Sequence, residues 1–312
     1  MKAAQINSYG GKEVLQINPE AEKPSISDDQ LLIEVAAAAV NPFDITVRNG
    51  GAQQMAQLNF PATLGGDFAG RVVEVGAKVT GFQNGEMVYG QADALSGNGS
   101  FAEFTPVKAS QTAKAPDGID TITAAAFPLV SSSAYQALVD HINLQPGQKI
   151  LIHGGAGGIG SMAVQLAKNL GAYVATTVSD QEKDYAKNLG ADEIIDYKSQ
   201  DFSEILKDYD AVFDTVGGET NLKSYQVLKP GGSFVSMVAQ PDKELVERHD
   251  LNYTAQLTHV TTERLTKIAE LVESRKLSIN IDKVFPLDQT AEALDHLESG
   301  HPRGKVVIQI KT

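Results

Sequence analysis

Residues 149–170, KILIHGGAGGIGSMAVQLAKNL, read as a short buried strand, a glycine turn and an amphipathic helix in immediate succession. The glycines fall as Gly155-x-Gly157-x-x-Gly160, and Ile159, Met162, Ala163, Leu166 and Leu170 then recur at the spacing of one helical face. Such a turn is built for an anion. Without Cβ atoms, Gly157 and Gly158 let the backbone approach a pyrophosphate, whose charge meets the unpaired N–H groups at the helix start. Gly160 lets helix and strand pack closely. A second strand-like run at Tyr173–Val178 supplies the context in which the turn binds a dinucleotide instead of merely reversing the chain.

Outward from the turn, strands and helices alternate. Helices are expected near residues 181–189, 203–207 and 222–228, and strands near 193–195, 211–215, 232–237 and 253–257. With the first two strands this makes six, the number in a full doubly wound dinucleotide fold. Before it, residues 122–138 are alanine-rich and apolar and read as a helix leading into this lobe, whereas residues 1–121 are strand-like and glycine-punctuated, an all-β lobe. After it come a strong helix at 263–277 and an apolar terminal strand at 305–310, which needs a sheet to join. The N-terminal lobe is the natural host. The expected organisation is therefore a discontinuous β-rich domain from residues 1–121 and 261–312 around a dinucleotide-binding domain at 122–260. Residues 241–251 are the least readable.

The chain has 312 residues, a formal net charge of −13 and no cysteine. The charge opposes a general nucleic-acid or anionic-membrane surface. Lack of cysteine removes disulfides, thiolate nucleophiles and every zinc site built on sulfur. The six histidines, His141, His153, His249, His259, His296 and His301, show no paired ligand spacing and read as surface or turn residues. No apolar run approaches the roughly 20 residues that span a bilayer, and the expected location is the cytoplasm.

Taken together and in this order, VNPFDITVRNG (40–50), LGGDFAGRV (64–72), AAAFPLVSSSAYQAL (124–138), HGGAGGIG (153–160), FDTVGG (213–218) and GHPRGKVVI (300–308) resemble the quinone oxidoreductase branch of the medium-chain dehydrogenase/reductase superfamily. The resemblance implies a GroES-like catalytic domain, a Rossmann domain, hydride transfer from NADPH to a quinone or another conjugated carbonyl, and homodimers joined through the last Rossmann strand. Asp44 stands at the place that resembles the first cysteine ligand of the zinc-dependent relatives, so no metal is expected.

The same resemblance places Asn41 at the nicotinamide or the acceptor oxygen, with Asp44 and Arg48 organising one pocket, unless those two simply pair across the loop. The leading expectation is a zinc-independent, NADPH-dependent reductase of quinones; Thr46 stands where many such reductases carry a tyrosine, which makes reduction of the C=C bond of an enone or enal the alternative. A nucleotide-binding redox sensor without turnover is the third possibility. For the cofactor, the resemblance assigns Ser133 (or its neighbours Ser131 and Ser132), Gly155, Gly157, Gly158, Ile159, Gly160, Val216 and Met237. Ser179, Lys183 and Tyr197 match positions that hold the 2′-phosphate of NADPH, with Arg303 as a further charge; Asp180, if it faces the ribose, would favour NADH instead.

Overall fold

The computed structural model describes residues 1–299 and 302–311. In the N-terminal part, short strands with buried apolar residues pair antiparallel. β1 (Ala3–Ile6) pairs with β2 (Leu15–Asn18), and the ten-residue β3 (Gln30–Ala39) is the spine of a larger sheet. β4 (Ala62–Thr63) joins β1, while β5 (Asp67–Val75), β6 (Met87–Gln91), β7 (Phe104–Lys108) and β8 (Thr112–Lys114) extend the sheet on β3. Leu31, Ile33 and Val35 of β3 are wholly buried with Phe68 and Val88, a core of alternating strand residues.

The central part is a parallel sheet of β9 (Lys149–His153), β10 (Tyr173–Val178), β11 (Glu193–Asp196), β12 (Tyr209–Asp214), β13 (Leu228–Ser236) and β14 (Asn252–Ala255). Its order is β11-β10-β9-β12-β13-β14, so β9 sits at the reversal of strand order where doubly wound sheets take their ligands. Residues 150–153 of β9 are all buried, as expected of a strand covered on both faces.

The C-terminal segment adds β15 (Ile281–Pro286) and β16 (Lys305–Gln309); β16 pairs antiparallel with residues 37–39 of β3, so the apolar end of the chain closes the N-terminal sheet. Two units result: Met1–Leu129 with Val260–Ser274 and Ile279–Thr312, and Val130–His259 with Arg275–Ser278. Residues 122–129 thus belong to the first unit. The helix Thr121–Ala126 packs on β3, β5 and β16, with Ala124, Ala125 and Ala126 small enough for close approach.

Two local expectations are corrected, and one unread stretch is filled. Pro128 lacks the N–H that would continue the alanine-rich helix, so residues 122–138 form two helices, Thr121–Ala126 and Pro128–Tyr135, followed by a π turn at Gln136–His141. The helix expected at 222–228 lies at Gly218–Ser224, because the Asp214 carboxylate accepts the Val216 and Gly217 N–H groups and starts the turn early; Leu228 opens β13 instead. The unread residues 241–251 carry a helix, Lys243–His249, whose N-cap Asp242 accepts the Leu245 N–H. No helix among the described residues is long and apolar enough to cross a membrane.

The glycine turn is sterically exacting. A Cβ on Gly160 would lie 2.1 Å from the Gly154 carbonyl oxygen and one on Gly155 would lie 2.0 Å from Thr176 Oγ1, whereas one on Gly66 would meet nothing nearer than 3.6 Å. Gly160→Ala is therefore expected to lower unfolding free energy by about 1–3 kcal/mol, read as a lower urea midpoint, with Gly66→Ala close to the native value.

Candidate active site

In the first unit, Asn41 ends the run out of β3 and is the N-cap of the short helix Pro42–Arg48, with Pro42 at its first position. The Asp44 carboxylate reaches back to accept the Asn41 N–H at 2.7 Å. The Asn41 side chain does not cap the helix. Its amide turns inward, donating to Asp67 Oδ2 at 3.0 Å and accepting from Lys305 Nζ, which also donates to the Val40 carbonyl at 2.9 Å. Asp67 accepts a further N–H from Leu129 at 3.1 Å, and its carboxylate lies 3.9 Å from Lys305 Nζ.

Asn41, Asp44, Asp67 and Lys305 are all buried, so two carboxylates and one ammonium share a dry site. Burial pushes Asp44 up to about 7, against the Asn41 N–H, with Asp67 adding to the rise and Lys305 opposing it. Burial likewise lifts Asp67 to about 6, restrained by Lys305 and two hydrogen bonds, and pushes the Lys305 amine down from its usual value. Asp44, which accepts fewer hydrogen bonds, therefore keeps its proton to a higher pH than Asp67. Asp67 and Lys305 were not singled out from the sequence. The signal was there: Lys305 is the one charge in the apolar strand Lys305–Gln309, and Asp67 is the one charge in the stretch 64–70.

Arg48 does not share this site. Its Nη2 pairs with Glu298 at 2.9 Å, its Nε donates to Asn49, and its Nη1 is buried with no partner among the described residues. It lines a separate cleft of about 820 Å³ with Gly10, Lys12, Asp295 and Glu298. No direct pair between Asp44 and Arg48 is present among the described residues. Thr46 is exposed on the same helix as Phe43, its hydroxyl donating to the Pro42 carbonyl at 3.2 Å.

In the second unit, Gly157 is the N-cap of the helix Gly158–Asn169 and offers no side-chain cap, so the first-turn N–H groups are left for a ligand. Gly157 is exposed, Gly158 and Ile159 half-buried, and Gly155 and Gly160 buried in packing. Val216 is exposed and Met237 half-buried just beyond β12 and β13. Ser131, Ser132 and Ser133 are all buried; Ser133 shares a 2.7 Å hydrogen bond with Thr258, whereas Ser132 Oγ has no partner among the described residues.

Beyond β10, the half-buried Ser179 hydroxyl donates to Glu182 at 2.6 Å, and Lys183 forms a 2.7 Å ion pair with Asp180 at the surface. Tyr197 is exposed. Arg303 belongs to the first unit, where its N–H donates to Asp282.

One histidine departs from expectation. His153 lies wholly buried at the end of β9, hydrogen-bonded on both ring nitrogens, and burial holds it down at about 4 despite the nearby Asp214. His141 and His259 are exposed and His249 and His296 half-buried, while His301 lies outside the described residues.

Residues 27–117 match the family model of the alcohol dehydrogenase GroES-like domain, and residues 189–308 that of the zinc-binding dehydrogenases. The chain is 37% identical to 2-methylene-furan-3-one reductase of Solanum lycopersicum, over 99% of this chain and 79% of that protein. It is 35% identical to the chloroplastic NADPH-dependent alkenal/one oxidoreductase of Arabidopsis thaliana, again over 99% and 79%. Among solved structures, the quinone oxidoreductase from Coxiella burnetii superposes with a TM-score of 0.91 at 33% identity, covering 100% of this chain and 99% of that one. The fold and site define an oxidoreductase with a GroES-like domain and a Rossmann domain. The chain belongs to the zinc-independent quinone oxidoreductase branch of the medium-chain dehydrogenase/reductase superfamily.

The buried cluster has a pH signature. Asp44 binds its proton more tightly folded than unfolded, so its contribution to stability is fully present below pH 4 and is lost as pH rises through about 7. Asp44→Asn keeps an acceptor for the Asn41 N–H and removes this titration. Its stability relative to the native chain should rise between pH 4 and 8, by at most about 4 kcal/mol, in urea melts across that range.

Proposed function

We propose that this chain reduces the C=C bond of an α,β-unsaturated carbonyl compound with NADPH. The observation that carries the reading is the uncapped glycine turn after β9, at the reversal of strand order, in a chain similar over nearly its whole length to reductases named for enone and alkenal substrates. The second unit is the nucleotide domain in this reading, and the first unit handles the acceptor.

The residues present suit the nucleotide. The open first turn of the helix Gly158–Asn169 takes the pyrophosphate, and Ser179, Lys183 and Tyr197 take the 2′-phosphate. Asp180 is held by Lys183 in a surface pair, which costs little to exchange for a phosphate. Ser132, with its unpaired hydroxyl, is the serine left to meet the nicotinamide end, joined by Val216 and Met237. A bound NADPH supplies the hydride.

Hydride addition to the β-carbon of the acceptor leaves an enolate, and a proton at the α-carbon completes the saturated carbonyl. The exposed Thr46 hydroxyl, on a long bond to Pro42, is the available donor to the acceptor oxygen, and Phe43 offers it an apolar neighbour. Asn41 acts in fixing the helix start, since both ends of its amide are committed inside, and Asp44 holds the proton reserve of this unit. Arg48 anchors the helix end to Glu298.

A quinone acceptor is the second reading, favoured by the similarity to the Coxiella burnetii enzyme across both chains. Hydride from NADPH and a proton added to a quinone would give a hydroquinone. We also propose a homodimer through β14, which ends its sheet and is followed by the exposed Leu257.

Incubation with NADPH and an alkenal or enone should yield the saturated carbonyl, with one NADPH consumed per double bond. Turnover confined to quinones would replace the acceptor. Lys183→Glu should raise the KM for NADPH at least tenfold more than that for NADH; equal changes would remove the phosphate role.

A further inference from the structure

His153 has no part in the scheme above, yet its surroundings fix its state. Its ring lies edge-on to Phe202 with centroids 4.6 Å apart, Nδ1 is 3.1 Å from Thr177 Oγ1, and Nε2 is 2.9 Å from Ser224 Oγ. The Ser224 hydroxyl donates its one proton to the Thr220 carbonyl at 2.7 Å, so toward His153 it can only accept. Nε2 therefore carries the ring proton. At the other nitrogen, Thr177 Oγ1 accepts the Gly154 N–H at 3.2 Å and spends its own proton on Nδ1. One directed chain of hydrogen bonds thus runs from Gly154 through Thr177, His153 and Ser224 to Thr220.

The start of this chain is the start of the glycine turn. Gly154 has a φ of +70°, a left-handed backbone that needs holding. The Thr177 side chain takes the Gly154 N–H, the Thr177 carbonyl takes the Gly155 N–H at 3.1 Å, and the Gly154 carbonyl takes the Gly157 N–H at 2.9 Å. On the far side, the Thr215 hydroxyl donates to the His153 carbonyl at 2.8 Å. All members of the chain belong to the second unit.

We infer that His153 is a positioning residue for nucleotide binding: with its proton on Nε2, it orients Thr177 to hold the first peptide of the glycine turn and ties that turn to the helix Gly218–Ser224. The imidazole has its acceptor and its donor on separate, rigidly spaced ring atoms, so it spans the gap between Thr177 at the end of β10 and Ser224 in the helix Gly218–Ser224. Burial keeps the ring uncharged throughout the working range of pH, so the direction of the chain does not reverse. The inference rests on the reading of the turn as the nucleotide seat.

The test titrates native protein, Thr177→Val, Thr177→Ser, His153→Phe and His153→Asn with NADPH and with NADH by calorimetry. Thr177→Val and His153→Phe should weaken both nucleotides by about tenfold, because the pyrophosphate is common to them. Thr177→Ser and His153→Asn, which keep the hydroxyl and the acceptor at Nδ1, should stay within about threefold of native. A residue that only supports the fold would lower the melting temperature of the variants and leave the affinity of the folded fraction unchanged, which would overturn the proposal. Should His153→Phe fail to fold, the Thr177 pair decides. Imidazole ¹⁵N shifts of the ligand-free protein should show the Nε2–H tautomer, and an Nδ1–H tautomer would also overturn it. Native protein that binds neither nucleotide would instead remove the seat, with the tautomer measurement still standing.

Discussion

The pairing of the last strand with β3 is the contact on which the first unit depends. Residues 307–309 meet residues 37–39 in antiparallel register, so the last strand joins the sheet built on β3 and Lys305 is carried into the interior beside Val40 and Asn41. A lysine buried there demands a counter-charge, and Asp67 at the start of β5 supplies it. Asn41 lies between the two and bonds to both. The helix Pro42–Arg48 is thereby held at its N-cap from within, so its exposed face, with Phe43 and Thr46, is presented at a defined place.

The second unit solves a related problem with neutral groups. Its parallel strands are covered on both faces, so polar side chains at their ends must find partners inside the protein. His153, Thr177 and Ser224 do so in one chain, and Asp214, Asn221 and Ser236 in another, where Asp214 accepts both the Asn221 amide and the Ser236 hydroxyl. Both sets border segments with little side-chain bulk, the glycine turn after β9 and Gly217-Gly218 after β12. Backbone that lacks side chains to hold it is held instead by hydrogen bonds from its neighbours.

The fold was legible where a pattern is local and repeated. The strand, turn and helix at residues 149–170 and the alternation after it needed only period and glycine spacing. The apolar terminal strand announced its need for a sheet. The alanine-rich stretch misled as one helix because alanine propensity outweighed Pro128 in the reading, although the missing N–H decides the break. Asn41 and Asp44 were legible as important, but their partners were not: Asp67 is 26 residues from Asn41 and Lys305 is 264. Arg48 looked like a companion of Asp44 by the family resemblance, whereas Glu298, remote in sequence, pairs with it.

What the sequence by itself determined is the class of protein: strand and helix periods, the glycine triplet and the lack of cysteine act through neighbours along the chain or through composition, and both are visible in one dimension. Only the tertiary structure decided which polar groups are buried together, and with that the protonation of Asp44, the direction of the Asn41 amide and the tautomer of His153. Those properties come from desolvation and from partners brought close by folding, and neither quantity is defined until the chain has closed on itself.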